Sequence, residues 1–374
     1  MASYTEYDRL TDVLLGSVEN YSPSIWTWDT SEKHLGTNWD YAKELLKDVI
    51  PNQIKTEVVE DLNTFEKILT SEGVSVIRPT TTPDIIEVTD SPYYAYGQDF
   101  YNMRDLHCVF GKSLISASPS QPNRLGEIQK LSHFFYALAQ RYNLELVESP
   151  KPALLKNPEL EFIPENKESR NPGVKTMEVW HRLTEEEILF DAANLIRLRD
   201  SAIFLISSTG NRKAYDWCSK NITSHKIELT DVYRSSHLDS TILPLSDEYI
   251  LVNSERVNKT NTPLSIKSKK LLFFNEVEEV PEWEKEFHYR WRRPTAEKLK
   301  ELGFHSNLRE ISSKWAGINV LSLSPNEVFV ESRQIRLIAL LESLDFRVIK
   351  VQMRHPYTFL GGLHCTTLDI GRVC

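Results

Sequence analysis

Apolar positions along the chain recur at helical spacing in one stretch and give way to short β-rich runs in the next. In the clearest case Val58, Val59, Leu62, Phe65, Ile68 and Leu69 fall on one helical face, Gly73 ends the helix, and residues 74–77 continue as a strand before Pro79. Four further stretches repeat that order. Phe134, Phe135, Leu138 and Ala139 form a helical face, Asn143 suits the left-handed position at a helix end, and residues 144–147 follow as strand. Tyr215, Trp217 and Cys218 precede Asn221 and a strand-like run at 226–229. A shorter version sets 265–270 before 271–274, and Ile335, Leu337, Ile338, Leu341 and Leu344 precede Asp345 and the run 346–351. Five helix-then-strand units predict α/β architecture, either a parallel sheet with crossovers or a ring of small modules. Periodicity does not choose between them.

Composition narrows the class of protein more than the fold. The 374 residues, 40% hydrophobic and 26% charged, suffice for a large core, and the length by itself allows two or three domains, yet no low-complexity tract or Gly/Ser linker marks a boundary. With 44 Lys plus Arg against 53 Asp plus Glu, the net charge of -9 argues against nucleic acid or an anionic membrane as partner and favours a cationic one. Residues 1–9 lack an apolar core behind a basic start, and no stretch approaches the roughly 20 apolar residues of a spanning helix. A cytoplasmic location is expected, with Cys108, Cys218, Cys365 and Cys374 as reduced thiols. The segment 275–293 ends in the aromatic and basic run 288–293. Such interleaving can stack bases, but the acidic lead-in (Glu276, Glu278, Glu279, Glu282, Glu284, Glu286) makes a solvated surface insertion the simpler reading.

The sequence has no Gly-rich phosphate loop, Gly-x-Ser-x-Gly elbow, His-Glu-x-x-His or Cys-x-x-Cys pair, which removes the best supports for nucleotide and structural-zinc readings. Three polar clusters set among apolar residues remain. In the first, Asp191 stands between Phe190 and the small pair Ala192-Ala193, so a ligand could approach closely; equally, Asp191 could cap a helix. In the second, His237, Asp239 and Thr241 would share one face of a strand, as a metal pair or around a hydrogen-bonded structural histidine. In the third, Gly361-Gly362 allows unusual backbone dihedrals just before His364-Cys365, whose thiol is a candidate nucleophile or an inert buried cysteine.

Taken in order, Phe190-Asp191-Ala-Ala, His237-x-Asp239-x-Thr241 and Gly361-Gly362-x-His364-Cys365 resemble the motifs of the glycine amidinotransferase family of guanidino-group-modifying enzymes. Further likenesses are Tyr7-Asp-x-Leu, Met103-Arg104-Asp105, Asn253-x-x-Arg256, and Ser312-Ser313-Lys314-Trp315 followed by Asn319-Val320-Leu321. The resemblance spans about residues 4–370. It implies a five-bladed α/β propeller of ββαβ modules, hence one domain over residues 1–374 with 275–308 as a surface insertion. It also implies transfer of an amidino group from L-arginine to a primary amine with release of ornithine, without metal or organic cofactor. A homodimer is compatible with it. Cys365 would be the nucleophile and His237 the general acid and base. Asp191 and Asp105 would grip the guanidinium. Asp239 would orient His237 or meet the α-ammonium, and Arg256, Ser312 and Ser313 would take the α-carboxylate. The remaining substrate-binding candidates are Arg234, Ser236 and His364.

The sequence departs from the glycine-using pattern in three places. Arg234-Ser235-Ser236 replaces an Asn and a Met at the outer two positions, the 256–312 connection is longer, and Asn194 stands where relatives carry an acid and receives no catalytic role. Arg372 reads as the last trace of a basic tail. A larger acceptor is therefore expected, a long-chain, arginine-derived aminoketone of the kind implied by likeness to the saxitoxin-biosynthesis branch. The alternatives are a glycine- or lysine-accepting transferase and a guanidine hydrolase or deiminase.

Overall fold

The computed structural model describes residues 1–29, 31, 37–80, 83–89, 92–154, 159–162, 179–308 and 311–373. One pattern is repeated five times: an antiparallel strand pair, then a helical crossover to a third strand that lies parallel to the second. Blade two is typical, with His107–Phe110 against Ser113–Ser116, helices Pro122–Lys130 and Ser132–Tyr142, and Glu145–Glu148 returning alongside. Blade three uses Leu195–Arg197, Ser201–Leu205, helix Arg212–Asn221 and Lys226–Thr230. Blade five uses Leu321–Ser324, Glu327–Glu331, helix Ile335–Glu342 and Arg347–Val351. In blade four the crossover between Tyr249–Asn253 and Lys270–Phe274 holds a 3₁₀ turn, Leu264–Ile266, in place of the longer helical piece expected at 265–270.

Blade one is assembled from both ends of the described chain. Thr367–Val373 pairs antiparallel with Arg9–Leu15, which pairs in parallel with Ser75–Ile77 after helix Asn52–Ser71. The helix ends behave as their residues predict: Gly73 and Asn143 have φ of 80° and 51°, and Asp345 has 63°.

The apolar residues of each unit bury against the next unit rather than within their own. Leu14, Leu368, Val109 and Leu114 join blades one and two, and Phe110, Ile115, Phe190 and Phe204 join two and three. Ile203, Ile242, Leu251, Val328 and Val330 join three, four and five, while Val13, Phe65, Leu321 and Phe329 join five to one. This circuit of shared cores closes the ring, so the fold is the five-bladed α/β propeller, not an open sheet.

The ring's interior is charged. Arg197 donates to Glu6 through Nε (2.9 Å) and Nη2 (2.8 Å), to Ser3 Oγ and the Val109 carbonyl, and pairs with Asp369. Arg104 binds Asp369 (2.6 Å) and the His364 carbonyl (2.9 Å). Arg372, expected as a trace of a tail, is instead buried against Asp369 and the carbonyls of Asp8 and Ser322. Blades one, two, three and five are thus tied together by one buried ion network.

Outside the ring, His305–Ser306, Ser22–Thr27, Tyr94–Gln98 and Glu87–Val88 form a four-stranded sheet. The 275–308 segment is helical at Glu282–Phe287 and Arg293–Glu301, joined by a π-helical turn at His288–Arg292. Its outer face exposes Trp283, Tyr289 and Trp291, but Glu284, His288, Arg292, Ala296 and Leu299 are buried. A solvated description fits the outer face alone. Among the described residues no helix is long and apolar enough to cross a membrane.

Candidate active site

The candidate residues converge because each lies just before the inner strand of a blade. Asp105 ends the 3₁₀ turn Met103–Asp105 before His107–Phe110, Asp191 precedes Leu195–Arg197, and Asp239 precedes Ile242–Pro244. Cys365 precedes Thr367–Val373. A ring whose inner strands neighbour one another brings these entry segments together at one end. Residues 237–241 form this turn and not a strand, so the expected shared face of His237, Asp239 and Thr241 is replaced by two side chains turned to different partners.

His237 Nε2 donates to Asp191 Oδ2 at 2.9 Å, and its Nδ1 lies 3.5 Å from Asp105 Oδ1. Asp191 occupies the N-cap position of the turn Ala192–Asn194 with its main chain, but its side chain makes no cap bond and serves His237. Burial opposes charge on His237, yet Asp105 first and Asp191 next outweigh it and raise the imidazolium to about 9. Because this lies above the ordinary value, its stabilising contribution is complete below about pH 6.5 and is lost as pH rises through about 9. An NMR titration of the His237 ring should show its midpoint near 9, moving down in Asp191→Asn; a midpoint at or below 6.5 would contradict the arrangement.

Asp239 faces elsewhere. Its Oδ2 accepts from Asn319 Nδ2 (3.0 Å), His364 Nδ1 (3.0 Å) and the Cys365 thiol (3.2 Å). The carboxylate bonded to His237 is therefore Asp191, which corrects the first of the two roles expected of Asp239. Burial would raise Asp239, but the His364 hydrogen bond and the surrounding cations hold it well below the usual carboxylate range. Burial, then Asp239 and Asp105, push the Cys365 thiol well above its ordinary value, so the resting group is a thiol donating to a firmly ionised carboxylate. Cys108 and Cys218 lie instead in the apolar seam between blades two and three.

Asp105 is held by a residue that pattern reading missed. Buried Arg124 donates to Asp105 Oδ2 (3.2 Å), Glu127 (2.5 Å) and the carbonyl of Asn102 (2.8 Å). Among the described residues Asp105 Oδ1 has no hydrogen-bond partner, and it lies toward His237. Burial, against the pull of His237 and Arg124, raises Asp105 to about 6.

The two glycines act through space, not through dihedrals, since neither has positive φ and the strained residue is Leu360 at 60°. A Cβ on Gly361 would stand 2.0 Å from Asn102 Oδ1 and 2.9 Å from Cys365 Cβ.

The substrate-binding candidates divide. Arg256 stacks 3.6 Å over the Tyr233 ring and donates to Ser240 Oγ and Thr241 Oγ1, both 2.9 Å, which places it at the turn carrying His237 and Asp239. Arg234 and Ser236 are in the half-buried loop leading to His237, with Arg234 paired to Asp231 at 2.8 Å. Ser312 is half-buried beside Tyr357, and Ser313 is exposed. His364, expected to bind substrate, is instead 2% exposed and bridges Asp239 and Glu6 inside the protein. Asn194 is hydrogen-bonded to the Leu205 carbonyl, Ser207 and Thr209.

Three carboxylates, an imidazolium and a thiol are thus gathered from separate blades of the five-bladed α/β propeller. No family model matches the chain, but it has full-length likenesses among amidinotransferases. The chain is 28% identical over 378 residues to inosamine-phosphate amidinotransferase 1 of Streptomyces griseus, covering 99% of this chain and 96% of that protein. It is 23% identical over 383 residues to the mitochondrial glycine amidinotransferase of Danio rerio, covering 100% and 83%. The solved structure of SxtG, an amidinotransferase from Microseira wollei in the saxitoxin biosynthetic pathway, superposes with a TM-score of 0.76 at 25% identity, covering 100% of this chain and 97% of that one. The chain is thus similar over its full length to amidinotransferases, and these likenesses support its being a transferase enzyme.

Proposed function

We propose that the protein moves the amidino group of L-arginine to a primary amine through a covalent Cys365 intermediate, releasing ornithine. The observation that carries this reading is the Cys365 thiol bonded to Asp239 at 3.2 Å and within the charge influence of Asp105, which with Asp191 flanks the His237 imidazolium. A guanidinium is resonance-stabilised and poorly electrophilic, so its carbon needs a strong nucleophile and the departing nitrogen needs a proton. The free carboxylate oxygen of Asp105, with Asp191, suits the two edges of a planar cation. The incoming positive charge offsets the carboxylates that keep Cys365 protonated, so donor binding itself favours the thiolate.

The proton balance is closed. The S–C bond forms as the C–N bond to ornithine breaks; His237 gives its proton to the leaving nitrogen and regains one from the thiol. In the second half an amine attacks the amidino carbon, His237 gives its proton to the departing sulfur, which leaves as thiol, and the attacking nitrogen returns a proton to His237. Burial of Cys365 and Asp239 favours transfer over hydrolysis by limiting water.

Arg256 at the rim suits the donor α-carboxylate. Arg234, Ser236 and the Ser312 loop form the acceptor side, where an amine larger than glycine is accepted. Likeness to the saxitoxin-pathway enzyme supports a long-chain aminoketone and a place in toxin biosynthesis. The closed circuit of cores supports one domain over the whole chain, and reduced thiols suit the cytosol.

Intact-mass measurement after incubation with L-arginine alone should show one amidino group added to the peptide carrying Cys365, with ornithine released and no citrulline. Added aminoketone or diamine should discharge it. Citrulline production would make the protein a hydrolase, and efficient guanidinoacetate formation from glycine would overturn the larger acceptor.

A further inference from the structure

We propose that Asn319 is a positioning residue of the transfer reaction, supplied by blade five to complete a ring of side chains in which every blade contributes one. The inference rests on the reading of Cys365 as nucleophile. Asp105, Asp191, Asp239 and Cys365 come from the entry segments of blades two, three, four and one, each within four residues of an inner strand. Asn319 occupies the corresponding place in blade five, two residues before Leu321–Ser324.

Its contacts give the position a purpose. Asn319 Oδ1 accepts the Cys365 main-chain N–H at 2.8 Å, Nδ2 donates to Asp239 Oδ2 at 3.0 Å, and the Asn319 carbonyl accepts the His364 N–H at 3.3 Å. One side chain therefore joins the backbone of the nucleophile to the carboxylate that holds its thiol. It is 4% exposed and delivered by the 3₁₀ turn Lys314–Ile318, whose Trp315 and Ile318 are buried. Gly362 is matched to it: a Cβ there would stand 2.8 Å from Asn319 Cβ and 3.0 Å from the Ala316 carbonyl.

Two consequences follow for the chemistry. Fixing the Cys365 N–H fixes the direction of its Cα–Cβ bond, and so the line along which sulfur approaches the amidino carbon. The second consequence concerns charge. When the thiol proton leaves, Asp239 Oδ2 loses one of three donors, and the Asn319 N–H remains to hold its negative charge away from the new thiolate. Asn319 touches neither donor nor acceptor in this scheme; it acts through Cys365 and Asp239.

The test uses Asn319→Asp and Asn319→Ala in the full-length protein, read by steady-state kinetics and by the pH dependence of Cys365 alkylation with iodoacetamide. Asn319→Asp keeps the acceptor for the Cys365 N–H but sets a second carboxylate against Asp239. Its alkylation profile should move to higher pH and its kcat should fall about 10–100-fold, the size of effect seen when an outer orienting group is lost, with KM for arginine changed less than about threefold. Asn319→Ala, smaller and uncharged, should lose kcat similarly and is the readout if the Asp variant does not fold. A folded variant with wild-type kcat and wild-type alkylation profile, or one changed in KM alone, would overturn the proposal. Wild-type adduct formation with arginine is run in parallel. Its absence would refute the nucleophile reading, whereas an adduct in the wild type beside unaffected Asn319 variants would refute the positioning role alone.

Discussion

Replacing Cys365 with serine is expected to lower kcat/KM by about 10⁴-fold or more, the scale seen when a nucleophile is removed from a cooperating set, or about 5 kcal/mol of transition-state stabilisation. A serine hydroxyl is a far weaker nucleophile at neutral pH than a thiol, and Asp239 beside it opposes ionisation of either. The same hydroxyl can still donate to Asp239, so thermal stability should stay within about 0.5 kcal/mol of wild type. Ornithine release and the arginine-dependent mass adduct are the measurements. Retained turnover in Cys365→Ser would end the covalent mechanism, while lost turnover with lost stability would show only that the site had collapsed.

Replacing Arg197 with methionine should destabilise the protein by about 3–5 kcal/mol, because Glu6 and Asp369 would be left buried without their principal counter-charge. Burial alone would raise both carboxylates, and Arg197 above all outweighs it and holds them well below the usual range. Their contribution is thus present above the ordinary carboxylate values and lost as pH falls below them. In Arg197→Met the acid-unfolding midpoint should therefore move to higher pH. Arg347, which pairs with Glu72 and Glu327 but is 53% exposed, is the control, and its replacement should cost less than about 1 kcal/mol. Denaturant midpoints at neutral pH separate the two, and equal losses would mean that the central network adds no more than a surface pair.

The helix-then-strand units were readable because helical spacing, a left-handed helix end and a β-rich run are short-range properties. Gly73, Asn143 and the run 347–351 behave as their neighbours in sequence require. Cys365, His237, Asp105, Asp191 and Asp239 were readable as chemistry because their side chains sit among small or apolar residues and together match one family's motifs. Their partners were not. Arg124, Arg197 and Glu6 look like ordinary surface residues in one dimension, and Asn319 stood only in a family-like motif without a role, although a charge embedded in an apolar strand, as in Leu195-Ile196-Arg197-Leu198, was a signal.

By itself, then, the amino-acid sequence determined which segments are helix and strand, that they alternate in five units, and which residues are chemically able to attack, protonate or bind a guanidinium. Tertiary structure showed how the units close into the ring that periodicity left open, and it alone decided that Asp191 rather than Asp239 holds His237, that His364 is buried between Asp239 and Glu6, and that Asn319 joins nucleophile to carboxylate. The reason is the range of the interactions. Periodicity and capping act over a few residues, whereas Thr367–Val373 pairs with Arg9–Leu15, and Asp239 meets Cys365, only when the cores between successive blades have closed the circuit.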